Sequence, residues 1–179
     1  MAINTHGGGA RTNEFGLKFE QETSLSDALL SAVYSVSTDG TVSDGINVIG
    51  ILAPKNKLYK RLLEPQGIEW KKHISKQLLP DEVFYNCTNN TVYIIEKKFQ
   101  HGSGSVDEKL QTCDFKKKQY IKLFKNLGYA VEYLYVCNDW FKKKSYGDVV
   151  EYIKSVGCHI YFNEIPLDFL KLPPIPQEI

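Results

Sequence analysis

Two segments rich in β-branched and aromatic residues, separated by four polar residues, constrain this chain most. They are residues 81–86 (DEVFYN) and 91–99 (TVYIIEKKF), and the stretch between them is CTNN. Such segments favour extended backbone, and the polar stretch has turn chemistry, so we expect an antiparallel hairpin. The hairpin determines which side chains at its open end lie close together.

Side chains alternate between the two faces of a strand, so Glu96 and Lys98 project from the same face while Lys97 projects from the other. Hairpin closure brings Asp81, at the start of the first strand, beside the end of the second. The sequence therefore predicts two carboxylates and one ammonium around a small volume.

Two clustered carboxylates repel each other unless a cation neutralises them. Hard oxygen ligands with open water positions suit Mg²⁺ better than zinc, and Mn²⁺ is expected to substitute. A bound Mg²⁺ polarises a phosphodiester and helps to generate a hydroxide, while Lys98 orients or deprotonates the water or stabilises the oxyanions. The alternative is a strand end with an exposed salt bridge between Glu96 and a lysine.

Pro80, Asp81, Glu96 and Lys98 resemble the motif that names the PD-(D/E)XK nuclease superfamily, which includes most type II restriction endonucleases, Holliday-junction resolvases and several repair nucleases. The apolar run VYII before Glu96 fits, because that family places this strand centrally in a sheet covered on both faces. The resemblance implies that Asp81 and Glu96 bind the metal and that Lys98 is catalytic. It covers residues 14 to 163.

An upstream segment adds to this resemblance. Gly16, Phe19 and Glu20 are similar to the G-x-x-F-E of the first helix in resolvase-like and RecB-like members, in which the glutamate reaches the same metal site. The resemblance makes Glu20 a candidate catalytic residue and metal ligand. The alternative is an ordinary surface glutamate on an amphipathic helix.

The remaining elements alternate between helices and strands. We expect helices over about 24–34, 55–63, 105–128 and 146–155, and strands over 47–52, 129–137 and 158–162, with a Gly-rich and Asp-rich turn at 39–45. This order predicts an α/β fold, a single domain whose mixed central sheet is flanked by helices on both faces, with the restriction endonuclease-like αβββαβ core. Residues 1–13 are expected to form a flexible arm, 14–165 the nuclease domain, and 166–179 a Pro-rich tail packed on it.

The loop of residues 100–105 (QHGSGS) leaves the candidate catalytic strand and ends at a helix N-terminus, which favours phosphate. Candidate DNA-binding residues lie here and on the following turns: His101, Ser103, Ser105, Lys109 and Gln111. Alternatively, the glycines only make the turn and Ser105 only caps the helix. Lysines and arginines between residues 55 and 76 form a basic stretch, and residues 140–146 (WFKKKSY) mix aromatic and basic side chains in a way typical of nucleic-acid contacts or of loop packing.

Composition limits the other options. The chain has 179 residues, of which 42% are apolar, so it can bury a sizeable core. No apolar run approaches the roughly 20 residues that span a bilayer, and no signal-peptide core is present, so we expect a cytoplasmic protein without a membrane partner. No nucleotide-binding loop is found, so we expect no nucleotide cofactor. The four cysteines lack metal-site spacing and are expected to be reduced. A net charge of +1 does not exclude a site-specific nuclease, because charge distribution matters more than the sum.

The expected function is that of a type II site-specific deoxyribonuclease: a Mg²⁺-dependent endonuclease that cuts double-stranded DNA at a short sequence. A two-fold homodimer is the simplest way for a small chain with one site to cut both strands. Such a restriction enzyme is expected to be prokaryotic or phage-associated. Two alternatives stay open: a structure-selective nuclease of the resolvase or DNA-repair type, and a non-catalytic DNA-binding or interaction protein on a nuclease-like scaffold.

Overall fold

The computed structural model describes residues 8–102 and 106–174. Seven strands form one mixed sheet in chain order: β1 (Ser35–Val36), β2 (Thr41–Ser43), β3 (Val48–Leu52), β4 (Glu82–Asn86), β5 (Thr91–Lys98), β6 (Ala130–Cys137) and β7 (His159–Phe162). The α-helices are α1 (Gly8–Glu22), α2 (Leu25–Ser31), α3 (Val106–Leu110), α4 (Cys113–Phe124) and α5 (Gly147–Ser155). The expected single α/β domain with a mixed central sheet is confirmed.

Each neighbouring pair from β1 to β5 is antiparallel. The pairs β5–β6 and β6–β7 are parallel. Parallel neighbours need crossover connections. The chain supplies them as α3 with α4 between β5 and β6, and as α5 between β6 and β7. The ends of β5 and β6 therefore lie at the same edge of the sheet.

The sheet separates two hydrophobic clusters. One buries Ile94 and Tyr135 under α4 and α5, and we call this the α4 face. The other buries Tyr93 and Ile95 under α1 and α2, and we call it the α1 face. Residues 92–97 are all buried, so β5 is covered on both sides.

Two strands lie where the sequence predicted a turn or no element. β1 and β2 pair with each other, and β2 falls inside the expected turn at 39–45. Asp39 accepts a hydrogen bond from the backbone N of Thr41 at 2.9 Å, which supports a tight connection at this point. Strands of two and three residues have too little alternation to be recognised from sequence.

Several helix boundaries differ from expectation. The expected helix over 105–128 is interrupted at residues 111–112, where the Thr112 hydroxyl donates to the Lys109 carbonyl at 2.7 Å and competes with helical hydrogen bonding. The helix expected over 24–34 ends at Ser31, and Val33 has a left-handed φ of 69°. The expected helix over 55–63 is a π-helical turn, Tyr59–Leu63, after a hydrogen-bonded turn.

Both ends of the described part of the chain carry secondary structure. α1 begins at Gly8, so residues 8–13 are helical rather than part of a flexible arm, and residues 1–7 lie outside the described part. The C-terminal segment packs on the domain through a 3₁₀ turn, with Leu170 fully buried and the Asn86 amide donating to the Leu170 carbonyl at 2.9 Å. Within the described residues, no helix has the length and apolarity to cross a membrane.

Candidate functional site

The open end of the β4–β5 hairpin brings Asp81, Glu96 and Lys98 together. Glu82 pairs with Ile95, so Asp81 precedes β4 opposite the end of β5. The Lys98 ammonium lies 3.0 Å from Glu96 Oε2 and 3.8 Å from Asp81 Oδ2. The two carboxylates and the ammonium thus occupy one small volume on the α4 face, as the hairpin geometry predicted.

Backbone hydrogen bonds hold this group in place. Asp81 Oδ2 accepts from the backbone N of Lys97 at 2.8 Å, which fixes the carboxylate at the strand end. The Lys98 ammonium also donates to the Lys97 carbonyl at 2.9 Å. The side chain of Glu96 is only 9% exposed, whereas those of Asp81 and Lys98 are 23% and 16% exposed. The cluster is therefore held by hydrogen bonds to the backbone of β5, and the side chains of Asp81 and Lys98 are partly exposed to solvent at the sheet edge.

A second lysine, Lys116 on α4, also contacts Glu96. Its ammonium is 3.4 Å from Glu96 Oε1, and its side chain is 31% exposed. The sequence pattern did not identify this residue, although three consecutive lysines at 116–118 near the start of α4 were a signal. Lys117 instead binds Glu132 and the Gly157 carbonyl, and Lys118 pairs with Asp114, so only packing shows which of the three faces the site.

Lys97 projects from the other face of β5, as alternation predicted, and its side chain is 4% exposed. Its ammonium is 3.0 Å from Glu82 Oε1 and donates to the Glu20 backbone carbonyl at 2.9 Å. Lys97 thereby connects α1 to the end of β5. A buried ammonium needs this kind of pairing, because burial of an isolated charge is costly.

Glu20 lies on the α1 face, across the sheet from Glu96. Its side chain is exposed, and it lines a cleft of about 570 Å³ together with Asp81, Glu82 and Lys97. The structure thus brings Glu20 to the Asp81 side of the site but not to Glu96. The resemblance to the G-x-x-F-E segment implied that Glu20 reaches the same metal site as Asp81 and Glu96.

The candidate DNA-binding residues that the structure describes, His101, Lys109 and Gln111, follow β5 in the chain and have different surroundings. His101 is exposed, with its ring 5.6 Å from that of Phe15. Lys109 and Gln111 are exposed, and Gln111 lines a separate cleft of about 440 Å³ with Tyr146 and Tyr152. Ser103 and Ser105 lie outside the described residues.

The basic side chains between residues 55 and 76 are divided between the cleft beside Asp81 and pairs made elsewhere in the chain. Lys55 and Lys57 are exposed and line the cleft that Asp81 also lines, and the Lys55 backbone N donates to the Pro80 carbonyl at 2.8 Å. Arg61 instead binds the carbonyls of Leu52 and Thr38, and Lys72 pairs with Glu69. Only part of this stretch thus lines the cleft that Asp81 also lines.

The hairpin end offers carboxylate oxygens, the donor type that a hard divalent cation prefers. Among residues 8–102 and 106–174, no three His, Cys, Asp or Glu side chains are grouped so as to hold a metal by themselves. Mg²⁺ is commonly held by one or two carboxylates, with waters and substrate phosphates completing its shell. Asp81 and Glu96 supply two carboxylates, although Lys98 and Lys116 already neutralise them.

Two buried tyrosines, Tyr120 and Tyr133, lie near the Glu96 carboxylate. Burial, together with the nearby Glu96 carboxylate, raises the pKa of both Tyr120 and Tyr133. Tyr133 is fully buried, and its hydroxyl has no hydrogen-bond partner among the described residues. These phenols stay protonated at neutral pH and exclude water from one side of the site.

Comparison of this chain with known proteins finds no matching family model, no matching curated protein and no matching solved structure.

Proposed function

We propose that this protein is a Mg²⁺-dependent endonuclease that hydrolyses phosphodiester bonds in double-stranded DNA. The observation that carries the proposal is the position of the Lys98 ammonium between Asp81 and Glu96 at the solvent-open end of the β4–β5 hairpin. The finer proposal is a type II restriction enzyme that cuts at a specific short sequence, for which the resemblance to the PD-(D/E)XK superfamily is the support.

Asp81 and Glu96 would hold Mg²⁺, or Mn²⁺ in its place, and Glu20 would reach the cation only from the Asp81 side, through the cleft that both residues line. The cation would polarise the scissile phosphate and lower the pKa of a water. Lys98 orients or deprotonates the attacking water, or stabilises the charge that develops on the phosphoryl oxygens. Lys116 holds Glu96 in place from α4 while the Lys98 ammonium turns toward the substrate.

One observation favours a second candidate, a non-catalytic DNA-binding or interaction protein. Glu96 is nearly buried and already contacts two ammonium groups, which is what a structural ion-pair network would show. In that case, the cluster would stabilise the end of β5 and would not bind a divalent cation.

A homodimer belongs to the finer proposal. Each chain has one candidate cluster, and cutting both strands at a symmetric site is most simply achieved with two-fold symmetry. Light scattering of the purified protein with and without DNA tests this. A restriction enzyme acts in the cytoplasm of a prokaryotic or phage-infected cell, and we propose that setting for this chain.

The test is incubation of the purified protein with unmethylated phage-type DNA and Mg²⁺, followed by gel electrophoresis. We expect discrete bands with Mg²⁺ or Mn²⁺, no cutting with EDTA, and no cutting by Lys98→Ala, which should still shift DNA in a gel without metal. Lys118→Ala is the matched control, because Lys118 lies on the surface of α4 paired with Asp114 and should cut normally.

The other outcomes separate the alternatives. Normal cutting by Lys98→Ala would exclude the proposed role of this lysine. Cutting of a synthetic four-way junction but not of the duplex would indicate the structure-selective nuclease. If neither substrate is cut and calorimetry detects no Mg²⁺ binding, the non-catalytic candidate is correct.

A further inference from the structure

The segment that follows β6 lies at the same edge of the sheet as the candidate site. β5 and β6 are parallel and in register, with Lys98 opposite Cys137. The backbone N of Asn138 donates to the Lys98 carbonyl at 3.2 Å. Adjacent strands are about 5 Å apart, so residues 138–146 begin directly beside the lysine proposed to be catalytic.

Asn138 joins this segment to the loop after β5. Its Oδ1 accepts from the backbone N of Gln100 at 3.1 Å, and its Nδ2 donates to the Gln100 carbonyl at 2.8 Å. These two bonds hold the start of the segment in a fixed position relative to the end of β5.

Aromatic packing orders the rest of the segment. Phe141 is 1% exposed, and its ring centroid is 5.1 Å from that of Tyr146. The indole N–H of Trp140 donates to the Tyr146 hydroxyl at 2.8 Å. Packing of these rings orders the backbone of the residues between them before any ligand binds, which lowers the entropic cost of binding.

Three consecutive lysines occupy that position, and we call Lys142, Lys143 and Lys144 the lysine loop. All three are exposed. The Lys142 ammonium pairs with Asp139 at 2.7 Å, and that of Lys143 lies 3.0 Å from the centre of the Trp140 ring. Within the described residues, the side chain of Lys144 forms neither a hydrogen bond nor an ion pair. The loop thus carries an excess of positive charge toward solvent.

We propose that the lysine loop binds backbone phosphates of duplex DNA next to the phosphodiester held at Asp81, Glu96 and Lys98. This inference rests on the proposed function and adds a substrate-positioning surface to it. Phosphate contacts set register without reading sequence, which is what a cluster beside a cleavage site requires. Because the rings of Trp140, Phe141 and Tyr146 pack together, the lysine loop keeps a fixed distance from the candidate site. A flexible run of lysines would not.

The experiment measures DNA affinity in EDTA, where no cutting occurs, by fluorescence anisotropy of a labelled duplex over a series of KCl concentrations. The variant is Lys142→Gln/Lys143→Gln/Lys144→Gln, which removes three charges but keeps side-chain length. The control is Lys122→Gln/Lys125→Gln/Lys154→Gln, an equal charge change at exposed lysines near the ends of α4 and α5, away from the edge where β5 ends. Lys144→Gln alone checks that any effect is not due to misfolding, because this side chain loses no hydrogen bond or ion pair with the described part of the chain.

We expect the slope of log Kd against log salt to become shallower by about 2 to 3 in the lysine-loop variant, with about tenfold weaker binding. Lys144→Gln alone should change the slope by about 1, and the control should keep the wild-type slope. Equal effects of both triple variants, or a lysine-loop variant that binds like wild type, would overturn this inference. In those cases, the proposed function would still hold if the wild-type protein cuts DNA and Lys98→Ala does not.

Discussion

Two neighbouring lysines on β5 have different environments because a strand turns successive side chains to opposite faces. Lys98 contacts Asp81 and Glu96 at the candidate site, whereas Lys97 is buried against Glu82 and α1. The same residue type one position apart is thus expected to affect activity in one case and stability in the other.

Substitution of Lys97 with Met keeps an unbranched side chain but removes the ammonium. We expect the free energy of unfolding to fall by about 2 kcal/mol, because the Glu82 carboxylate, 15% exposed, loses its partner. Urea unfolding measures this. Lys72→Met is the matched control, since its pair with Glu69 is about 70% exposed and should contribute less than about 1 kcal/mol. Equal losses in the two variants would contradict a role for burial.

We expect Asp39 to make the stability of the protein depend on pH. Hydrogen bonds from Ser37 and from the Thr41 backbone lower the pKa of Asp39 from 3.8 to about 2. Because the folded pKa is depressed, this contribution is complete above the unfolded pKa and is lost as pH falls through the folded value. Thermal unfolding is measured at a series of pH values from neutral to pH 2. At pH 5 the unfolding temperature of the wild type should be higher than that of Asp39→Asn, and this difference should become smaller between about pH 4 and pH 2. A constant difference would exclude this explanation.

At the scale of elements, the close approach of β3 to β4 depends on one glycine. Gly50 pairs with Asn86, and a Cβ at this position would overlap the Tyr85 carbonyl oxygen and the Phe84 ring. Both obstacles belong to β4, which is paired with β3 on one side and with β5 on the other. A side chain at residue 50 would push β3 away from the hairpin that carries the candidate site.

We therefore expect Gly50→Ala to destabilise the protein by about 2 to 3 kcal/mol, from overpacking against β4. Gly16→Ala is the matched control, because Gly16 lies in α1 and an added Cβ would meet no atom of the described residues within 4 Å. Alanine there should raise stability by up to about 1 kcal/mol, since it favours helix over glycine. Denaturant titration compares them, and a harmless Gly50→Ala would show that β3 can shift.

For the molecule as a whole, the fold determines which thiols can react. Cys87 in the β4–β5 turn is exposed, whereas Cys113, Cys137 and Cys158 are buried. Burial raises the pKa of the Cys137 thiol to about 12, so its thiolate is scarce at neutral pH. The expected reduced state of the cysteines agrees with the structure, in which all four are free.

An aromatic disulfide reagent at pH 8 should modify one thiol rapidly in the native protein. Cys87→Ser should abolish this fast phase, and denaturant should expose the remaining thiols. Absorbance of the released thiolate follows the reaction. A fast phase that survives in Cys87→Ser would mean that the core around α4 and β7 opens more readily than its packing indicates.

Much of the fold could be predicted from local patterns. The β4–β5 hairpin, β3, β6, β7 and α5 lie within a residue or two of their expected positions, because alternation, turn residues and helical spacing act over a few neighbours. The short strands β1 and β2 and the break before Cys113 were missed. They depend on pairing with β3 and on a side-chain hydrogen bond, which periodicity does not encode.

The sequence by itself determined that Asp81, Glu96 and Lys98 would meet, because strand alternation and a short turn are local properties. Only the tertiary structure decided that Lys116 joins them, that Lys97 pairs with Glu82, and that Glu20 faces the opposite side from Glu96. These contacts join elements distant in sequence. Their geometry follows from how helices pack on the two faces of the sheet, and no spacing along the chain specifies that packing.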